Sequence, residues 1–324
     1  MGKWRYKKKS KLFLFRKREK PISILLGAGF SAPMGYPIGN QLNEIIFNCH
    51  SDSISFHSDG TLVVGDNSNA HLIQYNQYYD FCKDIIRYYN DNIKAFDYEE
   101  FYDYLKGKAK DDSGLKELFE KGSYNKSEFD DFEQYVYQID NIYNQLVAFY
   151  LKDREGRSWY DDEPVCSKPT FNGYTGFLNC IEELSKNCII NVHTLNHDLF
   201  FERLDNTEWI NGKLGDGFKD ENSTLYGGLD DGTKIKLPVY TGKYDAKIRL
   251  YKLHGSIDQY VFYARQRQAV WVLPETYIKS KPEIAPYDFY KEVTDAEGKV
   301  TYENCGTNYH PDFLTGVTYK VSRY

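Results

Sequence analysis

Long apolar runs are missing from this 324-residue chain, and none approaches the length needed to cross a bilayer. The basic N-terminus is followed by LFLF, too short for the apolar core of a signal peptide, and no cleavage pattern follows. Close cysteine pairs are also missing. Cys49, Cys82, Cys166, Cys180, Cys188 and Cys305 contain no C-x-x-C and no metal-ligand spacing. That pattern predicts free thiols in a reducing cytoplasm and no bound metal. No internal repeat or low-complexity tract interrupts the chain, and no carboxylate cluster suggests a metal-dependent nuclease.

Tyrosine is abundant, with 30 residues against 20 Phe and 4 Trp. A tyrosine buries its ring and keeps a polar tip, which suits a semi-polar interior. Hydrophobic residues make up 41% of the chain, enough for a sizeable core. Charge is unevenly spread. Residues 1–20 hold ten Lys/Arg and one acid, a net of +9, while the whole chain carries −6. Residues 21–324 therefore carry −15. An acidic body argues against broad binding to a phosphate backbone and against nucleic acid as a partner. The basic arm reads first as a solvated terminus.

Residues 22–40, ISILLGAGFSAPMGYPIGN, run from an apolar strand straight into a glycine-rich loop. The run 22–26 predicts a fully buried strand. Residues 40–49 have helical spacing, with Asn40 as an N-cap. Residues 51–75 read as a polar loop with one short strand, TLVVG. About 77–155 reads as a separate all-helical insertion. A helix over 173–186 then leads into a second buried strand, CIINVHTLN, at 188–196. Residues 205–245 are rich in Gly, Asp and Asn and predict an irregular insertion. KIRLYKLHG (247–255) predicts a third strand, and 260–273 a β-hairpin around RQRQ.

Three strands thus end in polar, mostly glycine-bearing turns: GAGFS, TLNHD and LHGS. In an open parallel α/β sheet, ligands bind at the carboxyl ends of the strands, so these turns are expected to converge on one crevice. Gly27 and Gly29 permit unusual φ values and close backbone approach to a phosphate, and Ser31 offers a hydroxyl. The six-residue glycine fingerprint of dinucleotide sites is not met. Asn196 both donates and accepts, so it suits a water or a sugar hydroxyl. Asp198 reads equally as a ligand contact and as a helix cap. His254, between an apolar strand and Gly255, titrates where a general base is useful. His193 reads as a strand residue, and His197 as structural or exposed.

GAGFSAPMGYP, TLNHD and LYKLHGSID, in this order, resemble the three signatures of the sirtuin-like superfamily, in particular its prokaryotic branch that hydrolyses NAD in antiphage defence. GDGFK (215–219) is similar too, and the resemblance spans roughly residues 21–320. It implies an α/β fold with a Rossmann-like parallel sheet and a helical insertion, with NAD as substrate lying across the three turns. Asn196 and His254 match the family's reaction centre. Gly27, Ala28, Gly29, Phe30 and Ser31 match its cofactor loop, and Asp198 its nicotinamide side. Pro37, Thr194, Gly255 and Ser256 join the implied cofactor contacts, and Thr315 and Gly316 resemble a later cofactor-contacting turn.

The departures are specific. The four-cysteine zinc module of protein-deacylating sirtuins is replaced by the hairpin around 260–273. Their D-F-R becomes Ile38, Gly39 and Asn40, and the central residue of their T-Q-N becomes Leu195. Each change weakens a deacylase reading. The family continues through further strands where this chain reaches Tyr324, so truncation at the C-terminus is expected. The leading expectation is an NAD hydrolase releasing nicotinamide and ADP-ribose, with cyclised ADP-ribose as a variant product. The alternative is a module that senses NAD or ADP-ribose without turnover. The family implies restraint by homo-oligomerisation, a partner ATPase or a phage-derived activator. The helical block reads equally as an assembly surface and as a plain packing insert.

Overall fold

A computed structural model describes residues 20–49, 54–56, 62–64, 73–124, 131–152, 173–229, 231–263, 274–281, 284, 288–304, 306–307, 311 and 313. Thr315, Gly316 and all of the basic arm except Lys20 lie outside the described residues.

The fold is mixed α/β, with a four-stranded parallel sheet. Its strands are β1 (Lys20–Leu26), β4 (Cys188–Thr194), β10 (Ile248–Lys252) and β5 (Leu214–Gly215), in the order β1-β4-β10-β5. Leu26 sits opposite Thr194, and Thr194 opposite Lys252, so three strands end side by side. Helix α6 (Thr175–Ser185) leads directly into β4. One face of the sheet, carrying Ile190, Val192, Ile248 and Leu250, packs with Leu178, Phe200 and Leu204 into a core.

The expectation of a fully buried first strand is not met. Ile22 and Ile24 are half-buried, Ser23 is exposed, and Leu25 is 69% exposed. Among the described residues β1 pairs only with β4, and only its Ile22–Ile24–Leu26 face meets the core. Among the described residues, a continuous apolar run therefore belongs here to an edge strand covered on one side.

Helix α1 (Gly39–Phe47) follows the glycine loop. Its N-cap is Ile38, not Asn40, and the Ile38 amide donates to Gln41 Oε1 at 3.1 Å. A small hairpin, β2 (Ile54–Phe56) with β3 (Leu62–Val64), replaces the expected single strand. The helical block comprises α2 (Ile73–Asn92), α3 (Tyr98–Gly107), α4 (Ser113–Lys121) and α5 (Phe132–Leu151). It is not separate. Its core includes Leu42 and Ile46 from α1, and Leu199, Ile257 and Phe313 from beside the sheet's turns.

Tyrosines fill this block. Tyr78, Tyr79, Tyr89, Tyr104, Tyr135 and Tyr143 are all buried. The hydroxyls of Tyr79, Tyr104, Tyr135 and Tyr143 find acceptors, as buried polar groups must. Tyr143 donates to the Tyr98 carbonyl at 2.8 Å, and Tyr104 and Tyr88 donate to the two oxygens of Asp112 at 2.8 and 2.9 Å. Asp112 also caps α4 by accepting from the Gly114 and Leu115 amides.

The region expected to be irregular, 205–245, supplies short strands to different sheets. β5 extends the parallel sheet. β6 (Phe218–Lys219), β9 (Val239–Tyr240), β11 (Gln259–Tyr263), β12 (Pro274–Lys279) and β15 (Gly306–Thr307) form one sheet in the order β15-β11-β12-β9-β6. β7 (Leu225–Gly228), β8 (Lys234–Lys236), β13 (Phe289–Thr294) and β14 (Val300–Asn304) form another, ordered β14-β13-β7-β8. Strands this short carry too few residues for an alternation to be read. The hairpin expected at 260–273 pairs β11 with β12, so its second arm begins at Pro274, and residues 264–273 lie outside the described residues. No helix among the described residues is long and apolar enough to cross a membrane.

Burial pushes the phenols of Tyr89 and Tyr174 up to about 12, and those of Tyr98, Tyr104 and Tyr143 further. An unfolded chain releases these protons from about pH 10, while the native chain retains them. Stability is therefore full below pH 10 and falls as pH rises above it. In an alkaline titration, phenolate absorbance from these residues is expected to rise together with the loss of helical ellipticity. Full phenolate absorbance in a still-folded protein would contradict the packing of the tyrosine core.

Candidate active site

Parallel pairing brings the three turns together. The Leu195 amide donates to the Leu26 carbonyl at 3.3 Å, and the Leu253 amide to the Thr194 carbonyl at 3.0 Å. Each turn is thus tied to the end of the neighbouring strand.

The first turn runs through two short 3-10 segments, Ala28–Phe30 and Ala32–Met34. Gly27 has extended backbone, and neither it nor Gly29 adopts a positive φ. The left-handed freedom expected of them is used instead by Gly35, at φ 85°. Both Gly27 and Gly29 are exposed, and a Cβ at either would meet open space. Ala28 is exposed as well, and Pro37 is half-buried. Phe30 turns inward, with its ring 5.1–5.4 Å from those of Phe177, Tyr174 and Phe200. It anchors the loop, and the Tyr174 hydroxyl donates to its carbonyl.

Ser31 is buried and joins the first turn to the second. Its hydroxyl donates to Asp198 Oδ2 at 2.8 Å and accepts from Asn196 Nδ2 at 3.1 Å. The other oxygen of Asp198 accepts from the Phe200 amide at 3.0 Å, opening α7 (Phe200–Arg203). Both Asp198 oxygens therefore already serve the protein, one accepting from the Phe200 amide and one anchoring Ser31, although the N-cap position of α7 is Leu199. Thr194 is buried, and its Oγ1 accepts from the Asn196 amide at 3.0 Å. These bonds fix Asn196 by backbone and side chain. Its Oδ1 is buried and has no hydrogen-bond partner among the described residues. A buried amide oxygen left unpaired costs about 1–3 kcal/mol, so it favours a ligand hydroxyl or a water.

The third turn is closed by Gly255 at φ 76°, a left-handed position that disfavours any side chain. Buried Ser256 donates to the His197 carbonyl at 3.3 Å, and the Ile257 amide donates there at 3.2 Å. His197 is buried, contrary to an exposed reading, with its ring 5.9 Å from that of His254 and 5.0 Å from that of Phe313. His193 lies on β4 as expected and stacks on Tyr251 at 4.9 Å.

Two features had no signal in the sequence. The first is Glu99, in the first turn of α3, whose carboxylate lies with the imidazoles of His197 and His254; one nitrogen or oxygen atom from each residue falls within 4.8 Å of the others. Nothing in YEEFYDYL distinguishes it from a solvated helix face. The second is a group of buried and part-buried charges near the turns. Lys252 Nζ donates to the Asp198 carbonyl and pairs with Glu202 at 3.2 Å. Lys279 on β12 reaches Asp216 at 2.6 Å, Asp258 at 3.4 Å and Glu202 at 3.8 Å. Burial works against the Lys279 ammonium, but Asp258, Asp216 and Glu202 outweigh it and hold its pKa above the ordinary value. Burial raises Glu202, and the two lysines offset only part of the effect.

No family model and no curated protein matches the sequence.

Removing one member of a buried ion group leaves its partners uncompensated. Lys279→Met is expected to cost about 3–5 kcal/mol of stability in urea denaturation at neutral pH. Lys121→Met, which breaks only the exposed pair with Glu117, is the control and should leave the midpoint nearly unchanged. A small loss for Lys279→Met would mean that the buried carboxylates are already protonated or solvated.

Proposed function

We propose that this protein hydrolyses NAD at the nicotinamide–ribose bond, on a Rossmann-like sheet, giving nicotinamide and ADP-ribose. The observation that carries this reading is Asn196: its side chain is held by Ser31 and its backbone amide by Thr194, and its Oδ1 is buried and unpaired among the described residues, beside the strand end that carries His254.

The reaction breaks a C–N bond whose electron pair leaves on the nicotinamide nitrogen, neutralising its positive charge. The ribose becomes oxocarbenium-like, and a water adds to it. Asn196 Oδ1 accepts a hydrogen bond from that water or from a ribose hydroxyl. His254 takes the released proton, directly or through a ribose hydroxyl. The open space beside Gly27 and Gly29 suits the pyrophosphate, because no side chain keeps it from the backbone. Ser31 and Asp198 hold Asn196 in place, and Asp198 lies on the nicotinamide side of the site. Unrestrained hydrolysis would empty a cell of NAD, so the reading includes a role in antiphage defence by abortive infection. Restraint would come from homo-oligomerisation, a partner ATPase or a phage-derived activator.

His254→Ala and Asn196→Ala are each expected to lower the rate of nicotinamide release by about 100-fold or more, with the circular dichroism spectrum unchanged. The measurement is nicotinamide released from NAD by the purified chain, followed by chromatography. Binding of NAD without any release, under every activating condition tried, would favour the sensor reading instead. Near-normal release by folded His254→Ala would remove the proton-accepting role from that residue.

A further inference from the structure

We infer that Glu99, His197 and His254 form a binding site for one divalent transition-metal ion of the zinc type, and that the bound ion withholds His254 from the reaction. The second half rests on the NAD-cleavage reading, and the first half does not. Cysteine spacing predicts no metal, but this site uses none of the cysteines. Its ion is exchangeable rather than a structural staple.

The chemistry of the donors comes first. Two imidazoles and one carboxylate are a ligand set for zinc with one coordination position left open. Hard ions such as magnesium prefer all-oxygen surroundings and are poorly served here. The geometry is close to what an ion needs. Ligand atoms around tetrahedral zinc lie about 3.3 Å apart, from bond lengths of about 2.0–2.1 Å. The three donors here are already within 4.8 Å of one another. Side-chain adjustments of about 1–1.5 Å would bring the donors to that spacing, and Glu99 is only part-buried.

Each donor is held by an independent element. Asp97 caps α3 by accepting from the amides of Glu99 and Glu100 at 3.1 Å. Asn43 of α1 ties that cap down, donating to Asp97 Oδ2 at 3.1 Å and accepting from the Tyr98 amide at 2.9 Å. The backbone of His197 is held by Ser256 and Ile257, and its ring rests against Phe313. His254 precedes the left-handed Gly255 at the end of β10. An ion here would therefore bond the helical block to the sheet.

The consequence follows from charge and lone pairs. Metal binding needs neutral imidazole, so the ion takes the electron pair with which His254 would accept a proton. Two neutral imidazoles, one carboxylate and a divalent ion leave a net positive charge beside a reaction centre that itself becomes positive. Both effects raise the barrier to cleavage.

The test uses the full chain, freed of metal with a chelator, and titrated with Zn²⁺ against a chromophoric chelator. One tight equivalent is expected in the wild type. Glu99→Gln and His197→Gln should each weaken binding by about tenfold or more while keeping the far-ultraviolet spectrum of the parent. Cobalt substitution should give a spectrum without thiolate charge transfer, and excess Mg²⁺ should not displace Zn²⁺. No tight equivalent, equal affinity in both variants, or a thiolate band would overturn the site. In the NAD assay, Zn²⁺ should suppress nicotinamide release at least about tenfold, with recovery on chelation. Full activity with the ion bound would overturn the inhibitory half alone. Absence of any NAD cleavage from metal-free protein under every activating condition tried would overturn that half together with the NAD reading, whereas the affinity measurements decide the site by themselves.

Discussion

Parallel strand pairing fixes direction as well as spacing, and the candidate site follows from it. With β4 hydrogen-bonded between β1 and β10 in one register, Leu26, Thr194 and Lys252 end at the same edge. An antiparallel neighbour would have sent one turn to the opposite end. Ser31, Asn196 and His254 come from distant parts of the chain, yet each lies within a few residues of that shared edge. The bonds from Leu195 to Leu26 and from Leu253 to Thr194 then fix one turn against the next.

Below this edge the protein accepts a difficult electrostatic arrangement. Buried Lys252 and part-buried Lys279 sit among the part-buried carboxylates of Glu202, Asp216 and Asp258. Burying charges is costly, and a buried ion group is weak evidence for net stability. What the group does is geometric. Lys252 holds the Asp198 carbonyl, and Lys279 on β12 ties the antiparallel sheet to the same residues. An apolar core would have filled that space without specifying where Asp198 must sit.

The helical block enters the same place from the other side. Tyrosine makes this compatible with a folded core, because the rings supply apolar area while hydroxyls such as those of Tyr104 and Tyr143 find local acceptors, Asp112 and the Tyr98 carbonyl. The block's core reaches Leu199 and Ile257, the residues that flank the second and third turns. Asn43, on the helix that follows the glycine loop, positions the start of α3 and with it Glu99. The insertion therefore places a carboxylate beside His197 and His254 as well as contributing to packing.

The sequence by itself determined the local matters. The strands near 188–194 and 248–252, the helices of the block, and the polar turns after each strand were legible because periodicity and turn chemistry are written in neighbouring residues. So were Ser31, Asn196 and His254 as candidates. Reading failed where the decision depended on partners. ISILL reads as a buried run, but its exposure follows from which strands flank it, so Leu25 faces solvent. Gly27 and Gly29 promise left-handed backbone, but Gly35 and Gly255 are the turn residues that need it. The short strands of 205–245 take their form from sheets assembled across the chain. Only the tertiary structure placed Glu99 with His197 and His254, or joined Lys279 to Glu202. A carboxylate on a helix carries no mark of the group it will meet, because that meeting is set by how helices and sheets pack, and Coulomb and hydrogen-bond energies depend on distance through space rather than along the chain.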